Sequence, residues 1–184
     1  MKSIVRCAWA SGDLSIPYHD KEWGVASYDD RHLFEMLVLE GAQAGLSWET
    51  ILRKREGYRR RYENFQPELV ARFGSRQVEA MMADAGLVRN RRKIESSIEN
   101  ARAFLGIARE YGSFSEWLWA YVDGRPIVTH RPRGEALPAR TELSARIGKD
   151  LHARGFRFVG PTIIYSYLQA VGIVDDHSAD CFRV

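Results

Sequence analysis

The chain has 184 residues, 45% of them hydrophobic, enough to bury a core as one functional unit over 1–184. A formal net charge of +3 is by itself a weak argument for a polyanionic partner, and no run of 18 or more apolar residues offers a membrane-spanning helix. Residues 1–8 carry charge and lack the apolar stretch and cleavage site of a signal peptide, so a soluble, cytoplasmic protein without membrane contact is expected.

Strand-like alternation is nearly absent, and apolar residues recur at spacings of three and four, which predicts an all-α fold. At the N-terminus stands Cys7; its one fellow cysteine, Cys181, lies at the opposite end. In a reducing compartment a disulfide between them is disfavoured, which leaves two free thiols or a metal site. Three of the five tryptophans, Trp9, Trp23 and Trp48, lie near Tyr18 and Glu40 in sequence. They are either ordinary core or flat walls for a stacked base.

Asp29 and Asp30 suit the start of a helix over 33–39, and Gly41 and Gly45 bracket its end. Glu40 falls on the apolar face of that helix, where a carboxylate is costly unless paired. Either an Arg or Lys neutralises it, or it lines a pocket. Ser47 is the N-cap expected for a helix beginning at Trp48, so Leu46 sits at the tip of a tight turn after Gly45. There it acts as a wedge between stacked bases or as a staple between helices.

Arg53, Lys54, Arg55, Arg59, Arg60 and Arg61 form one basic cluster, read either as a track for phosphates or as a solvated helix face. Helical periodicity resumes over 78–82, turns at Gly86 and continues over 94–105, with Arg89, Arg91, Arg92 and Lys93 around the new helix start. Free amides at such a start, with flanking arginines, bind phosphate. The layout is that of a helix-hairpin-helix, although one glycine also fits a plain helical corner.

Gly112-Ser113 punctuates a helix over 114–122, and Pro132, Gly134 and Pro138 mark a long surface connection over 128–141. A last helix covers 163–171. Beyond it His177 and Cys181 form an H-x3-C pair, whose ligands face one way if the stretch is helical. With Cys7 and His19 they make a Cys2His2 set, which would suit a closed structural Zn2+ clipping the chain ends together. Four protein ligands leave no open position for water; three plus water would instead favour a zinc hydrolase.

These segments together resemble the DNA-3-methyladenine glycosylase I family, within the helix-hairpin-helix glycosylases. The resemblance rests on Arg6-Cys7-Ala8-Trp9, on Tyr18-His19-Asp20-Lys21-Glu22-Trp23-Gly24-Val25 and on Leu33-Phe34-Glu35. It continues through 39–48, Arg89 to Ile94, 154–162, Gln169-Ala170, Asp176-His177 and Cys181-Phe182-Arg183, covering about residues 6 to 183. It implies one structural zinc at Cys7, His19, His177 and Cys181, in a lobe formed by 1–29 plus 116–184, beside a helix-hairpin-helix lobe over 30–115. It also implies base recognition by Glu40 with Tyr18, stacking by Trp48, a pocket margin that includes Trp9 and Trp23, and Ser166 near the pocket floor. Gly45 and Leu46 would fill the gap left in the duplex.

The implied protein is a bacterial, monomeric repair enzyme that binds duplex DNA, flips out alkylated adenine and hydrolyses its glycosidic bond, with Glu40 as the catalytic carboxylate. No lysine occupies a recognisable nucleophile position, so strand cleavage is not expected. The competing function is a non-catalytic zinc-stabilised DNA-binding module. Two departures from the family pattern touch the site: the connection from Trp9 to Tyr18 is one residue short, with Ser15 where an aromatic residue can occur, and Asp175 replaces a usual Asn.

Overall fold

The computed structural model describes residues 4–184. Its elements follow largely from local chemistry. Helix α1 (Ser15–Lys21) opens without a local side-chain cap; the Glu49 carboxylate accepts from the Leu14 and Ser15 amides at 3.2 Å each. In α2 (Asp30–Gln43) the Asp29 carboxylate accepts from Arg31 N–H, as the sequence indicates. The helix runs through Gly41, and the chain turns only at Gly45, whose φ of +79° suits a residue without Cβ. Ser47 then caps α3 (Trp48–Arg61) by accepting from Thr50 N–H at 3.2 Å.

A short helix α4 (Pro67–Val70) leads to α5 (Ser75–Ala83), and Asn90 caps the long α6 (Arg91–Tyr111). Ser113 caps α7 (Phe114–Trp119). Several elements were not anticipated from periodicity, among them α1, α4, a further helix and a strand pair. Helix α8 (Glu142–Ala153) carries a narrow apolar stripe of Leu143, Ile147 and Leu151, and its start depends on a reciprocal Thr141–Ser144 capping pair. Strands β1 (Ile127–Val128) and β2 (Val174–Asp175) form a two-residue parallel pair, too short to leave an alternation in sequence. Helix α9 (Pro161–Ala170) precedes β2.

The core sits around α2, which is buried continuously from Leu33 to Ala42 and contacts α3, α6, α7 and α9. Phe34 packs edge-on to Phe104 at 5.3 Å, and Phe104 stacks on Phe114 at 4.0 Å. Helix α3 meets the α5–α6 turn so closely that a Cβ on Gly57 would lie 2.5 Å from the Gly86 carbonyl oxygen. Glycine at 57 is therefore what lets the α5–α6 turn lie against α3. The chain ends also meet: Phe182 N–H donates to the Val5 carbonyl at 3.0 Å, and the Arg6 guanidinium lies 5.7 Å from the Phe182 ring. Among the described residues no helix is long and apolar enough to cross a membrane.

Candidate active site

A cavity of about 280 Å³ opens where α1, the end of α2, the start of α3 and α9 converge. It is lined by Trp9, Tyr18, Trp23, Glu40 and Trp48, with Gln43, Leu137, Ser166 and Gln169. All six residues that the sequence assigned to base binding are thus brought together. Gln43, Leu137 and Gln169 were missed; they reach the cavity from positions without a local motif, and the pairing is tertiary. The aromatic wall is continuous, with Trp9–Trp23 centroids 5.0 Å apart and Tyr18–Trp48 centroids 5.3 Å apart.

Three polar atoms in this wall, Tyr18 Oη, Glu40 Oε2 and Trp48 Nε1, are buried with no hydrogen-bond partner. Native interiors rarely leave such groups unsatisfied, because each costs on the order of 1–3 kcal/mol. Three of them converging on one cavity is the pattern of a site built for a polar ligand with flat faces. Glu40 is only 4% exposed and has no Arg or Lys partner among the described residues, so the structural ion pair considered for it does not form. Burial alone pushes its carboxyl up to about 8. The Tyr18 phenol is likewise pushed up, by burial first and then by the charges of Glu40 and Glu22.

The shortened connection before Tyr18 does not leave a gap in the fold. Ser15 is buried there and accepts from Gly12 N–H at 2.8 Å, while Glu49 ties down the adjoining amides. A second hollow of about 210 Å³ adjoins the cavity, sharing Glu40, Gln43 and Ser166 and adding Ala44, Gly45, Leu46, Thr162 and Ile163. Leu46 is 42% exposed at its rim, where a wedge would stand, and is not packed as a core staple.

Between α5 and α6, Gly86 N–H is held by Asp84 at 2.7 Å and Asn90 accepts from Lys93 N–H at 3.2 Å. Arg89 and Arg92 are exposed, with no ion pair among the described residues. Arg91 pairs with Glu79 at 2.8 Å and Glu95 at 3.6 Å. The Lys93 ammonium does not project to solvent: it donates to the carbonyls of Ala42 at 2.9 Å and Ala44 at 2.5 Å. It therefore caps the C-terminal end of α2 and anchors the turn that presents Gly45 and Leu46.

Neither reading of the first basic cluster describes its centre. Arg55 reaches inward, donating to both Glu22 oxygens at 2.8 and 2.6 Å and to Glu35 at 2.7 Å. Arg59 joins Glu35 at 2.9 Å, Arg61 pairs with Asp84 at 2.6 Å, and Lys54 donates to the Ala85 carbonyl at 2.6 Å. The periodicity of arginine alone did not distinguish a phosphate track from a set of inter-helix struts.

On the far side of Trp9 and Trp23, ligand atoms of Cys7, His19 and Cys181 all lie within 4.8 Å of one another, and all three residues are buried. His177 stands outside that trio but next to it, its ring 5.0 Å from that of His19 and its Nε2 buried without a partner. Each imidazole has its other nitrogen fixed by a carboxylate: His19 Nδ1 by Asp20 at 2.8 Å and His177 Nδ1 by Asp175 at 2.6 Å. Asp20 is in turn held by Arg6, which keeps its carboxyl at about 2. The trio of Cys7, His19 and Cys181, with the unpartnered His177 Nε2 beside it, has the sulfur and imidazole donor chemistry that suits zinc. Asp175 does the orienting through its carboxylate. The stretch from His177 to Cys181 is a turn and not the helix that would have made the two ligands face one way; the Cys181 N–H bond to the Ser178 carbonyl at 2.8 Å folds it.

The model of the methyladenine glycosylase family matches residues 9–184. The chain is 46% identical to DNA-3-methyladenine glycosylase 1 of Escherichia coli over 177 residues, covering 96% of this chain and 95% of that protein. It superposes on a crystal structure of 3-methyladenine DNA glycosylase I with a TM-score of 0.93 and 46% identity, over 97% of this chain and 98% of the other. A variant of 3-methyladenine DNA glycosylase I solved in complex with 3-methyladenine is 36% identical, also with a TM-score of 0.93, over 96% of each chain. On both the family match and the full-length identity, the chain belongs to the methyladenine glycosylase family.

Proposed function

We propose that this chain hydrolyses the N-glycosidic bond of 3-methyladenine in alkylated duplex DNA, as a base-excision repair enzyme acting as a monomer in the bacterial cytoplasm. The observation that carries the reading is Glu40, buried and without a partner in a cavity walled by Tyr18, Trp48, Trp9 and Trp23. With its carboxyl at about 8, Glu40 is largely neutral at pH 7 in the free protein. Alkylation at N3 places positive charge on the adenine, and a cation in the cavity favours the ionised carboxylate. The same cation stacks on the electron-rich aromatic faces. A neutral purine gains neither, so selectivity and catalysis have one source.

The charged base is already a good leaving group, so little acid catalysis is needed. What the site supplies is orientation, exclusion of water and negative charge matched to the cation as the sugar gains oxocarbenium character. No lysine lines the cavity, and Lys93 is engaged by backbone carbonyls, which supports a monofunctional enzyme without a Schiff-base step. Leu46 with Gly45 would fill the duplex where the nucleotide leaves, and the hairpin amides with Gly86, Arg89, Arg91 and Arg92 would hold the phosphates.

Cys7, His19 and Cys181, joined by the adjacent His177, would hold one Zn2+, whose role would be structural with all four positions taken by protein ligands. It would tie the lobe of 1–29 and 116–184 to itself, beside the hairpin lobe of 30–115, and so fix Tyr18 next to His19. A non-catalytic zinc-stabilised DNA-binding module would have no use for an unpaired carboxyl inside an aromatic cavity. Incubation with methylated DNA followed by chromatography of the released bases tests the reading. Free 3-methyladenine is the expected product, and its absence overturns the assignment.

A further inference from the structure

Gln169 is 7% exposed and lines the cavity one helical turn from Ser166 on α9. Its amide is not free to turn. Nε2 donates to Asp176 Oδ2 at 2.6 Å, and an amide rotated by half a turn would set its oxygen against that carboxylate. Asp176 is itself immobilised: its side chain is fully buried, Tyr165 Oη donates to the same oxygen at 2.5 Å, and the Thr129 hydroxyl donates to the other. The Gln169 side-chain oxygen Oε1, which accepts no hydrogen bond among the described residues, is thus the polar atom left for the cavity.

We infer that Gln169 is a specificity-determining residue whose side-chain oxygen Oε1, oriented by Asp176, accepts a hydrogen bond from the exocyclic amino group of the extruded purine. An adenine-type base presents a donor on that edge, whereas a guanine-type base presents a carbonyl oxygen. Two oxygens facing each other in a buried site repel, and neither is satisfied. Glu40 does not enforce this distinction alone, because its negative charge draws adenine-type and guanine-type N3-alkylated cations alike. Stacking is indifferent to the edge groups. Gln169, held as an acceptor only, supplies the missing discrimination. The inference rests on the glycosylase reading and adds to it the group that tells one alkylated purine from another.

The test is tryptophan-fluorescence titration of the full chain with free 3-methyladenine, 3-methylguanine and 3-methylpurine, the last lacking the amino group. The wild-type protein is expected to favour 3-methyladenine over both. Gln169→Leu should lose about tenfold in affinity for 3-methyladenine and little for 3-methylpurine, so that the preference shrinks by the same factor. An unchanged preference in the folded variant overturns the inference. Should Q169L fail to fold by circular dichroism, Q169M removes the same acceptor with a more adaptable side chain. Equal wild-type affinity for 3-methyladenine and 3-methylpurine also overturns it, with no variant needed. Wild-type protein that releases no base from methylated DNA would sink the glycosylase reading and this inference with it; normal release with an unchanged preference sinks this inference alone.

Discussion

Glu35 and Glu40 lie five residues apart on α2, both buried, at 8% and 4% exposure. Glu35 receives Arg55 at 2.7 Å and Arg59 at 2.9 Å, and Arg55 extends the network to Glu22. Glu40 receives nothing at Oε2 and faces aromatic rings. Burial would raise the Glu22 carboxyl too, but hydrogen bonds from His32 and Arg55 outweigh it and hold it at about 2, whereas Glu40 stands at about 8. The same helix therefore carries one carboxylate used as a strut between α1, α2 and α3 and another kept in reserve for a ligand. A buried acid is not informative by itself; the location of its partner is.

Removing the unpaired member should have the largest functional effect. Glu40→Gln is expected to lower excision of 3-methyladenine by two to three orders of magnitude, the scale seen when a single preorganised electrostatic group is lost from a site. Its thermal stability at neutral pH should not fall, because no ion pair is broken. Single-turnover release of base, set beside a calorimetric scan, separates these two outcomes. A variant with wild-type turnover would remove Glu40 from the mechanism.

The same carboxyl gives a pH signature. Between about pH 4.5 and about 8 the unfolded chain has released the Glu40 proton while the folded chain retains it, so stability falls as pH rises and the slope ends above about 8. Glu22 acts with the opposite sign: its stabilisation is fully present above about 4.5 and is lost as pH falls towards about 2. Urea midpoints measured from pH 5 to 9 should decline in the wild type and lose that component in E40Q. A slope that persists unchanged in E40Q would mean that Glu40 is ionised in the folded protein.

Breaking the paired member should cost stability first. Arg55→Met leaves Glu22 and Glu35 buried without their central cation, and a loss of about 3 kcal/mol is expected. Arg55→Lys keeps the charge without the planar fork and should lie in between. Because Glu22 lies between His19 and Trp23 while Trp48 begins α3, the Michaelis constant should rise in R55M more than turnover falls. Equal stability of R55M and wild type in denaturant titrations would refute the strut.

Legibility in the sequence followed the range of the interaction. Asp29, Ser47, Asn90 and Ser113 act within three residues of themselves, and the first two were read directly as caps. Glu40 was readable as a carboxylate on an apolar face, and Cys7, His19 and Cys181, which the structure brings together, as members of a donor set that was read with His177 as its fourth. Arg55 and Lys93 were grouped with neighbours that look alike, since nothing within one turn tells a guanidinium aimed at α1 and α2 from one aimed at solvent. Helix α8 escaped because three leucine or isoleucine positions at every fourth residue make a thinner stripe than the periodicity test requires. Gln169 takes its role from Asp176 across the turn after α9, and Leu137 enters the cavity from an irregular segment.

Leu137 offers the smallest and most local test of the contrast on α2. It is the cavity wall supplied by the connection between β1 and α8, which Arg133–Asp180 at 3.0 Å and the Ala179 N–H bond to the Arg131 carbonyl at 2.9 Å tie back to the C-terminal segment. At 39% exposure it has little core to lose, so Leu137→Ala should fold normally and weaken 3-methyladenine binding by about threefold, through reduced apolar contact. Its more telling effect should be on Glu40. The carboxyl is raised by burial and nothing else, so admitting water on the Leu137 side lowers it, and the pH at which stability stops falling should move below about 8. A Leu137→Ala protein with weakened binding but an unmoved pH profile would show that the loop touches the ligand without shielding the carboxyl.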